Sequence, residues 1–270
     1  MTRHQIDRPD TIRVETDARG VTRLTLNRPE IRNAFDGVLI SDLTTVLERL
    51  ASDTAVRVLV LTGEGKAFSA GAEMGWMRAA GEQRDHENFQ DAMRIAGLMK
   101  MLDAMPMPTI ARVNGAAMGG GVGLTVCCDI AIAAEDAVFA LSEVKLGIVP
   151  GAISPYVLRA IGARAARRYF LTGERFDATT AERLGLVHQV IPSEVLDTAV
   201  DALVEEILSA GPKAVRAAKS LIFSVAGKEI DDLVMRDTAQ RIAQQRAGAE
   251  AKEGLSAFLD KRKPAWFSDS

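Results

Sequence analysis

Three stretches of the 270-residue chain carry residue types that can do chemistry at a carbonyl group and the carbon beside it. Phe68-Ser69-Ala70-Gly71-Ala72-Glu73 and Gly119-Gly120-Gly121 each line up small side chains, which leaves room for a ligand to approach backbone N–H groups. The glycine triplet also reads as a helix start. N–H groups there lack intrahelical acceptors and the helix dipole favours negative charge, so an oxygen becoming anionic can be held. Taken alone, either cluster is better explained as a plain tight turn, since a lone glycine cluster is weak evidence. The third feature is Glu143, between an apolar strand ending at Phe139-Ala140-Leu141 and the turn Gly147-Ile148-Val149-Pro150-Gly151. A carboxylate buried in such a place has a raised pKa, which suits proton transfer at carbon near neutral pH. The competing reading is a surface glutamate paired with Lys145 or an arginine.

Other chemistries lose their support. The triplet is not the G-x-G-x-x-G dinucleotide fingerprint, and no GxxxxGK followed by Ser or Thr occurs. His4, His86 and His188 have no metal-ligand spacing, so no metal site is expected. Cys127 and Cys128 are adjacent inside an apolar run and read as reduced core residues.

The elements that must position these residues follow from periodicity. Thr11 to Thr16 and Val21 to Leu26 read as a hairpin around Asp17-Ala18-Arg19-Gly20. Asp36 reads as the N-cap of a helix to about Ala51, with Leu39, Leu43, Val46, Leu47 and Leu50 on one face. Val56 to Leu61 is a buried strand, followed by a loop from Gly63 to Gly75. A helix over Glu87 to Met105 presents Phe89, Met93, Ile95, Leu98, Met99 and Leu102, and ends at Pro106. Then come strand Thr109 to Val113, the triplet with a helix to about Cys128, and strand Ile130 to Ala134. This alternation predicts βαβ units on a largely parallel sheet. Beyond residue 150 helices are expected at 152–161, 163–171, 178–184, 195–209, 212–224, 229–245 and 249–260, interrupted only by Val187 to Ile191.

Composition agrees with an ordinary globular protein: 47% hydrophobic, 26% charged and a net charge of −3 leave no basic footprint for nucleic acid. Met1 to Asp10 is too polar for a signal peptide, and Ala116 to Cys128 is too short and glycine-rich to span a membrane. A cytoplasmic, reducing location is expected.

Together these stretches resemble the crotonase superfamily, the enoyl-CoA hydratase/isomerase family, over nearly the whole chain. The matching segments are Leu26-Asn27-Arg28-Pro29-Glu30 with Asn33-Ala34-Phe35, Gly65 to Glu73, Asn114-Gly115 with Gly119-Gly120-Gly121, Cys128 to Ala133, Gly147 to Pro150, and Ala257 to Lys263. The resemblance implies an α/β spiral of ββα repeats over residues 1–195. Residues 196–270 would form a helical trimerisation region, in homotrimers or dimers of trimers. It implies acyl-CoA thioester substrates, with coenzyme A as part of the substrate and no separate cofactor. By motif position the two N–H groups that hold the thioester oxygen fall on Ala72 and Gly120. Lys66, Ala70, Phe258 and Lys261 fall at coenzyme A-binding positions, the last two offered by a neighbouring subunit. Family hydratases carry two glutamates, one at Glu143 and one three residues after the second oxyanion glycine; here that position is Gly123.

The segments Ser142 to Pro150, Ile153 to Val157 and Ala166 to Glu174, with Trp76-Met77, are similar to bacterial methylglutaconyl-CoA and isohexenylglutaconyl-CoA hydratases. Glu73, where most relatives have Asp, and Gly151-Ala152 depart from that group. The resemblance implies a lyase hydrating a branched enoyl-CoA with a distal carboxylate, as in leucine or acyclic terpene breakdown. Arg78, close in sequence to the first donor loop, is one candidate cation for that carboxylate, against the commoner reading of a solvated surface arginine. The alternatives are an isomerase or other enolate-forming enzyme using Glu143 alone, and a non-catalytic acyl-CoA-binding homologue.

Overall fold

The computed structural model describes residues 11–267; the polar stretch 1–10, with His4, lies outside them. β1 (Ile12–Thr16) and β2 (Val21–Leu26) form the expected antiparallel hairpin. Asp17 closes it, its carbonyl accepting from Gly20 N at 3.1 Å and its carboxylate from Val21 N at 3.0 Å. α1 (Gly37–Ser52) starts at Asp36, whose carboxylate accepts from Leu39 N at 2.9 Å. The predicted stripe is buried, with Ile40 beside it.

The chain then winds through three ββα turns. The first holds β3 (Val58–Gly63), β4 (Ala67–Ser69), α2 (Met74–Gly81) and α3 (Asp85–Asp103). The second is β5 (Thr109–Val113), β6 (Ala116–Met118) and α4 (Gly120–Cys127). The third is β7 (Ile130–Ala134), β8 (Val138–Ala140), a 3-10 turn over Ser142–Leu146, and α5 (Ser154–Thr172). After β9 (Arg175–Asp177), α6 (Ala178–Leu184) and β10 (Gln189–Ile191) come α7 (Leu196–Ser209), α8 (Pro212–Val225), α9 (Asp232–Ala247) and α10 (Ala249–Leu259).

The first strand of each turn joins a sheet of order β1-β2-β3-β5-β7-β10, parallel except at the hairpin. The second strand joins a smaller sheet, β4-β6-β8-β9, parallel except at β8–β9. β3 is buried at every residue because both faces of the large sheet are covered. On one face α1 and α3 supply Leu43, Leu47, Leu98 and Leu102. On the other, Leu196, Val200 and Val204 of α7 pack on Val58, Val60, Ile110 and Ile132. α8 is pinned by Lys219, 8% exposed, whose Nζ donates to Asp129 Oδ2 at 2.6 Å and to Met107 O at 3.0 Å. Among the described residues no helix is long and apolar enough to cross a membrane.

Four expectations need correction. The stretch expected as a loop from Gly63 to Gly75 contains β4 and the start of α2, whose N-cap is Glu73, accepting from Gly75 N and Trp76 N. β3 begins two residues later than the Val56 start, since Arg57 N and Val58 N both donate to Gly20 O at the hairpin. β9 is a second interruption of the helical half, held by pairing Phe176 with Phe139. Phe89 and Met93 on α3 are exposed, so only its carboxyl half, through Leu98, Met99 and Leu102, enters the core.

The consequence for function is convergence. β4, β6 and β8 run parallel and side by side, so their carboxyl ends release Ala70 to Ala72, Gly119-Gly120 and Leu141 to Glu143 at one edge of the small sheet.

Candidate active site

After β4 the backbone commits nearly all of its donors. Ala70 N donates to Arg32 O (2.8 Å), Gly71 N to Ser69 Oγ (3.2 Å) and Glu73 N to Phe35 O (2.7 Å). Ala72 N has no acceptor among the described residues. Its direction is fixed by the peptide it shares with Gly71. Gly71 O accepts from Phe35 N at 2.7 Å, and in a trans peptide the N–H points opposite to the C=O, so Ala72 N–H faces away from Phe35. Glycine is required at 71: φ is +83°, and a Cβ would sit 2.7 Å from Met118 O.

The second loop faces the first across that contact. Gly119 N donates to Ala140 O at 2.9 Å, which ties the loop to β8. Gly119 has φ +47° and serves as N-cap of α4 without any side chain to cap it, so Gly120 N–H heads an uncapped helix. α4 is buried from Gly121 to Cys127, which anchors this half-buried donor end in the core. Two backbone donors and one uncapped helix end suit an oxygen that gains negative charge.

Glu143 completes the group. Its Oε1 lies 2.9 Å from where a Gly119 Cβ would be, so only glycine leaves space for the carboxylate there. Its Oε2 is buried and has no hydrogen-bond partner. Burial pushes its pKa above the ordinary 4.5, and no cation opposes the shift. The ion-pair reading fails: among the described residues Glu143 makes no salt bridge, and Lys145 instead lays its Cε 3.2 Å from the Cβ position of Gly173.

Gly123 N donates to Gly119 O at 3.1 Å, so Gly123 sits one turn below the donor end of α4. A Cβ there would run into Ile153 Cγ2 and come 3.1 Å from Met99 Sδ. The space that a side chain at this position would occupy is filled by apolar groups.

The remaining candidates are spread more widely. Lys66 is exposed in the β3–β4 loop and Ala70 half-buried after β4. Phe258, 81% exposed, and Lys261 lie on and just past α10, which packs on α8 and α9. Arg78 is exposed in the last turn of α2. Cys127 and Cys128 are free and buried, and burial pushes the Cys128 thiol up to about 12. His188 is structural, accepting from Ala131 N at Nδ1 (3.1 Å) and donating its own N–H to Ala131 O (2.8 Å). Asn33, Phe35 and Ser69 stand within segments singled out in the sequence, but residue type alone gives none of them a role at the site. The sequence carries only a weak signal for them, an asparagine two positions before an aromatic residue and just after a Pro turn.

Comparison with known proteins places this geometry. The sequence matches the Enoyl-CoA hydratase/isomerase family over residues 16–269. It is 35% identical to the 2,3-dehydroadipyl-CoA hydratase of Escherichia coli strain K12, covering 90% of this chain and 94% of that protein. It is 37% identical to the human mitochondrial enoyl-CoA hydratase domain-containing protein 2, over 91% of this chain and 85% of that protein. The crystal structure of an enoyl-CoA hydratase from Shewanella pealeana superposes with a TM-score of 0.91 at 44% identity, covering 95% and 96% of the two chains. With the two sheets wound as three ββα turns and a match that runs through both donor loops and Glu143, the chain belongs to the enoyl-CoA hydratase/isomerase family and has the crotonase fold.

Proposed function

We propose that the enzyme adds water across the 2,3 double bond of a branched, methylglutaconyl-type enoyl-CoA thioester. Ala72 N–H and Gly120 N–H bind the thioester oxygen and stabilise it as the enolate forms. Glu143 accepts a proton from the water that attacks C3, and the enolate then takes a proton at C2 from the same carboxyl group. One carboxyl group suffices because it regains its starting state within each turnover. The observation that carries this reading is the buried Oε2 of Glu143 beside Gly119, an oxygen without a hydrogen-bond partner among the described residues and next to the loop that carries the Gly120 donor.

The diacid character of the acyl group is supported by the E. coli relative, whose name specifies a dicarboxylic acyl chain. Arg78 is the proposed counter-charge, Lys66 and Ala70 the proposed coenzyme A contacts, with Phe258 and Lys261 contributed by a neighbouring copy. Exposed Ile222, Leu233, Ile242, Phe258 and Leu259 on α8 to α10 support burial of this face against further copies of the chain, and the homotrimer or dimer of trimers is the assembly that the family resemblance implies. Isomerisation between C2 and C4 is the second reading, favoured by the apolar filling around Gly123, which leaves no carboxylate at that position beside Glu143.

Incubation of the purified protein with 3-methylglutaconyl-CoA and, separately, crotonyl-CoA tests the proposal through loss of conjugated thioester absorbance and product mass. A product heavier by one water from the branched substrate, in preference to crotonyl-CoA, is the expected result. A product of unchanged mass with a moved double bond establishes the isomerase reading instead.

A further inference from the structure

We infer that Phe35, held in place by Asn33, is a positioning residue that sets both oxyanion donors at once. This rests on the proposal that Ala72 N–H and Gly120 N–H bind the substrate oxygen. Phe35 touches both donor loops by different parts of itself. Its backbone brackets Ala72, with N–H donating to Gly71 O and C=O accepting from Glu73 N, each at 2.7 Å. That fixes the plane of the peptide carrying the Ala72 donor. Its ring stands against Gly120, where a Cβ would lie 2.6 Å from Cε2. Phe35 is therefore a gauge between the two donors, and a shift on either side changes the pocket that receives the oxygen.

Asn33 is what holds the gauge still. It is fully buried in the left-handed region (φ 56°), which asparagine tolerates better than most residues. Its Nδ2 donates to Glu64 O (3.0 Å), Ala67 O (2.9 Å) and Phe68 O (3.2 Å), and its Oδ1 accepts from Arg28 N (2.9 Å). Its own carbonyl accepts from Ser69 Oγ at 2.9 Å, the hydroxyl that also accepts from Gly71 N. One side chain thus links the turn before α1, the β3–β4 loop and the strand that ends at the first donor. A buried amide with every group satisfied specifies a single arrangement.

The test uses the full chain with Asn33→Gly, which keeps the left-handed backbone and deletes the amide, and with Phe35→Ala and Phe35→Leu. Steady-state rates are measured on whichever enoyl-CoA the wild type turns over. The red shift of bound 4-(dimethylamino)cinnamoyl-CoA reports polarisation of the thioester carbonyl directly. Expected for Asn33→Gly and Phe35→Ala is a loss of roughly tenfold or more in kcat with KM within about threefold, and a diminished red shift. Phe35→Leu, which returns apolar bulk to Gly120, recovers most of both. Folded variants that keep the wild-type kcat and the full shift overturn the inference. If neither variant folds, Ser69→Ala takes their place, and unchanged kcat and shift in it overturn the inference equally. A wild-type enzyme that binds the probe with no red shift overturns the oxyanion reading itself, a result distinct from variants that merely retain the shift.

Discussion

The donor side of the site and the base side are built by opposite means. From Ala70 to Glu73 every backbone N–H but that of Ala72 is bonded within the fold, and buried Asn33 and Ser69 hold the strand behind them. Glu143 has no side-chain hydrogen bond at Oε2, no ion pair, and sits in a short 3-10 turn that runs into exposed Leu146 and Val149. The difference matches what each side does. A donor acts by being where the charge will appear, so any mobility subtracts from its effect. A base must change its protonation state twice per turnover, and a strong bond to either form would fix it in that form. Rigidity belongs to the donors and electrostatic isolation to the base.

Removing the base takes away the proton carrier and leaves the donors in place. Glu143→Gln is expected to lower kcat by about 10³-fold or more while leaving the red shift of the bound cinnamoyl thioester intact, because the donors do not depend on the carboxylate. Gly119→Ala strikes where the two sides meet, forcing a Cβ at φ +47° and 2.9 Å from Glu143 Oε1. A loss of roughly 100-fold in kcat is expected, with the red shift reduced as well, since the Gly120 donor moves with it.

The pH profile sharpens the contrast. With its pKa raised above 4.5 by burial, Glu143 is protonated over part of the acidic range, and kcat/KM falls as pH drops through that raised value. The stability effect has the opposite sign. The folded state binds this proton more tightly than the unfolded chain, so the penalty is absent below 4.5, grows as pH rises through the window up to the folded pKa, and then stays constant. Glu143→Gln should therefore melt higher than wild type at neutral pH, a gap that closes on acidification below 4.5. The smallest effect is expected at Asp36, which caps α1 and pairs with Arg28 Nη1 at 2.6 Å. Asp36→Ala should cost about 1 kcal/mol in chemical denaturation and leave kcat within about threefold, since it touches neither donor.

Legibility in the sequence followed the strength of local signals. β5, β7 and α6 were readable to the residue: two strands of buried aliphatics between a Pro, an Asn and an Asp, and one helix opened by Asp177 and closed by Gly185. β4 and β6 were not readable as strands. Each has three residues, with Ala and Ser too small to show alternation, and their pairing with β8 comes from sequence-distant neighbours. α2 was masked by Gly75 and Gly81 and by a glutamate as its cap, where Ser, Thr, Asp or Asn is usual. Of the site, Glu143 and the two glycine-rich loops were visible by type. That Glu143 is unpaired and that Phe35 lies between the loops depend on tertiary packing no spacing reports.

The contact between Gly123 and Ile153 also governs which sequences lie within reach of this one. A glutamate at 123 requires Ile153 to shift, because its first side-chain atom would lie 2.3 Å from Ile153 Cγ2 and 3.1 Å from Met99 Sδ. Loss of bulk at buried Ile153 would make that room, and by itself it opens a void in the core. Positions 123 and 153 are thus coupled, so the effect of a side chain at one depends on the bulk at the other.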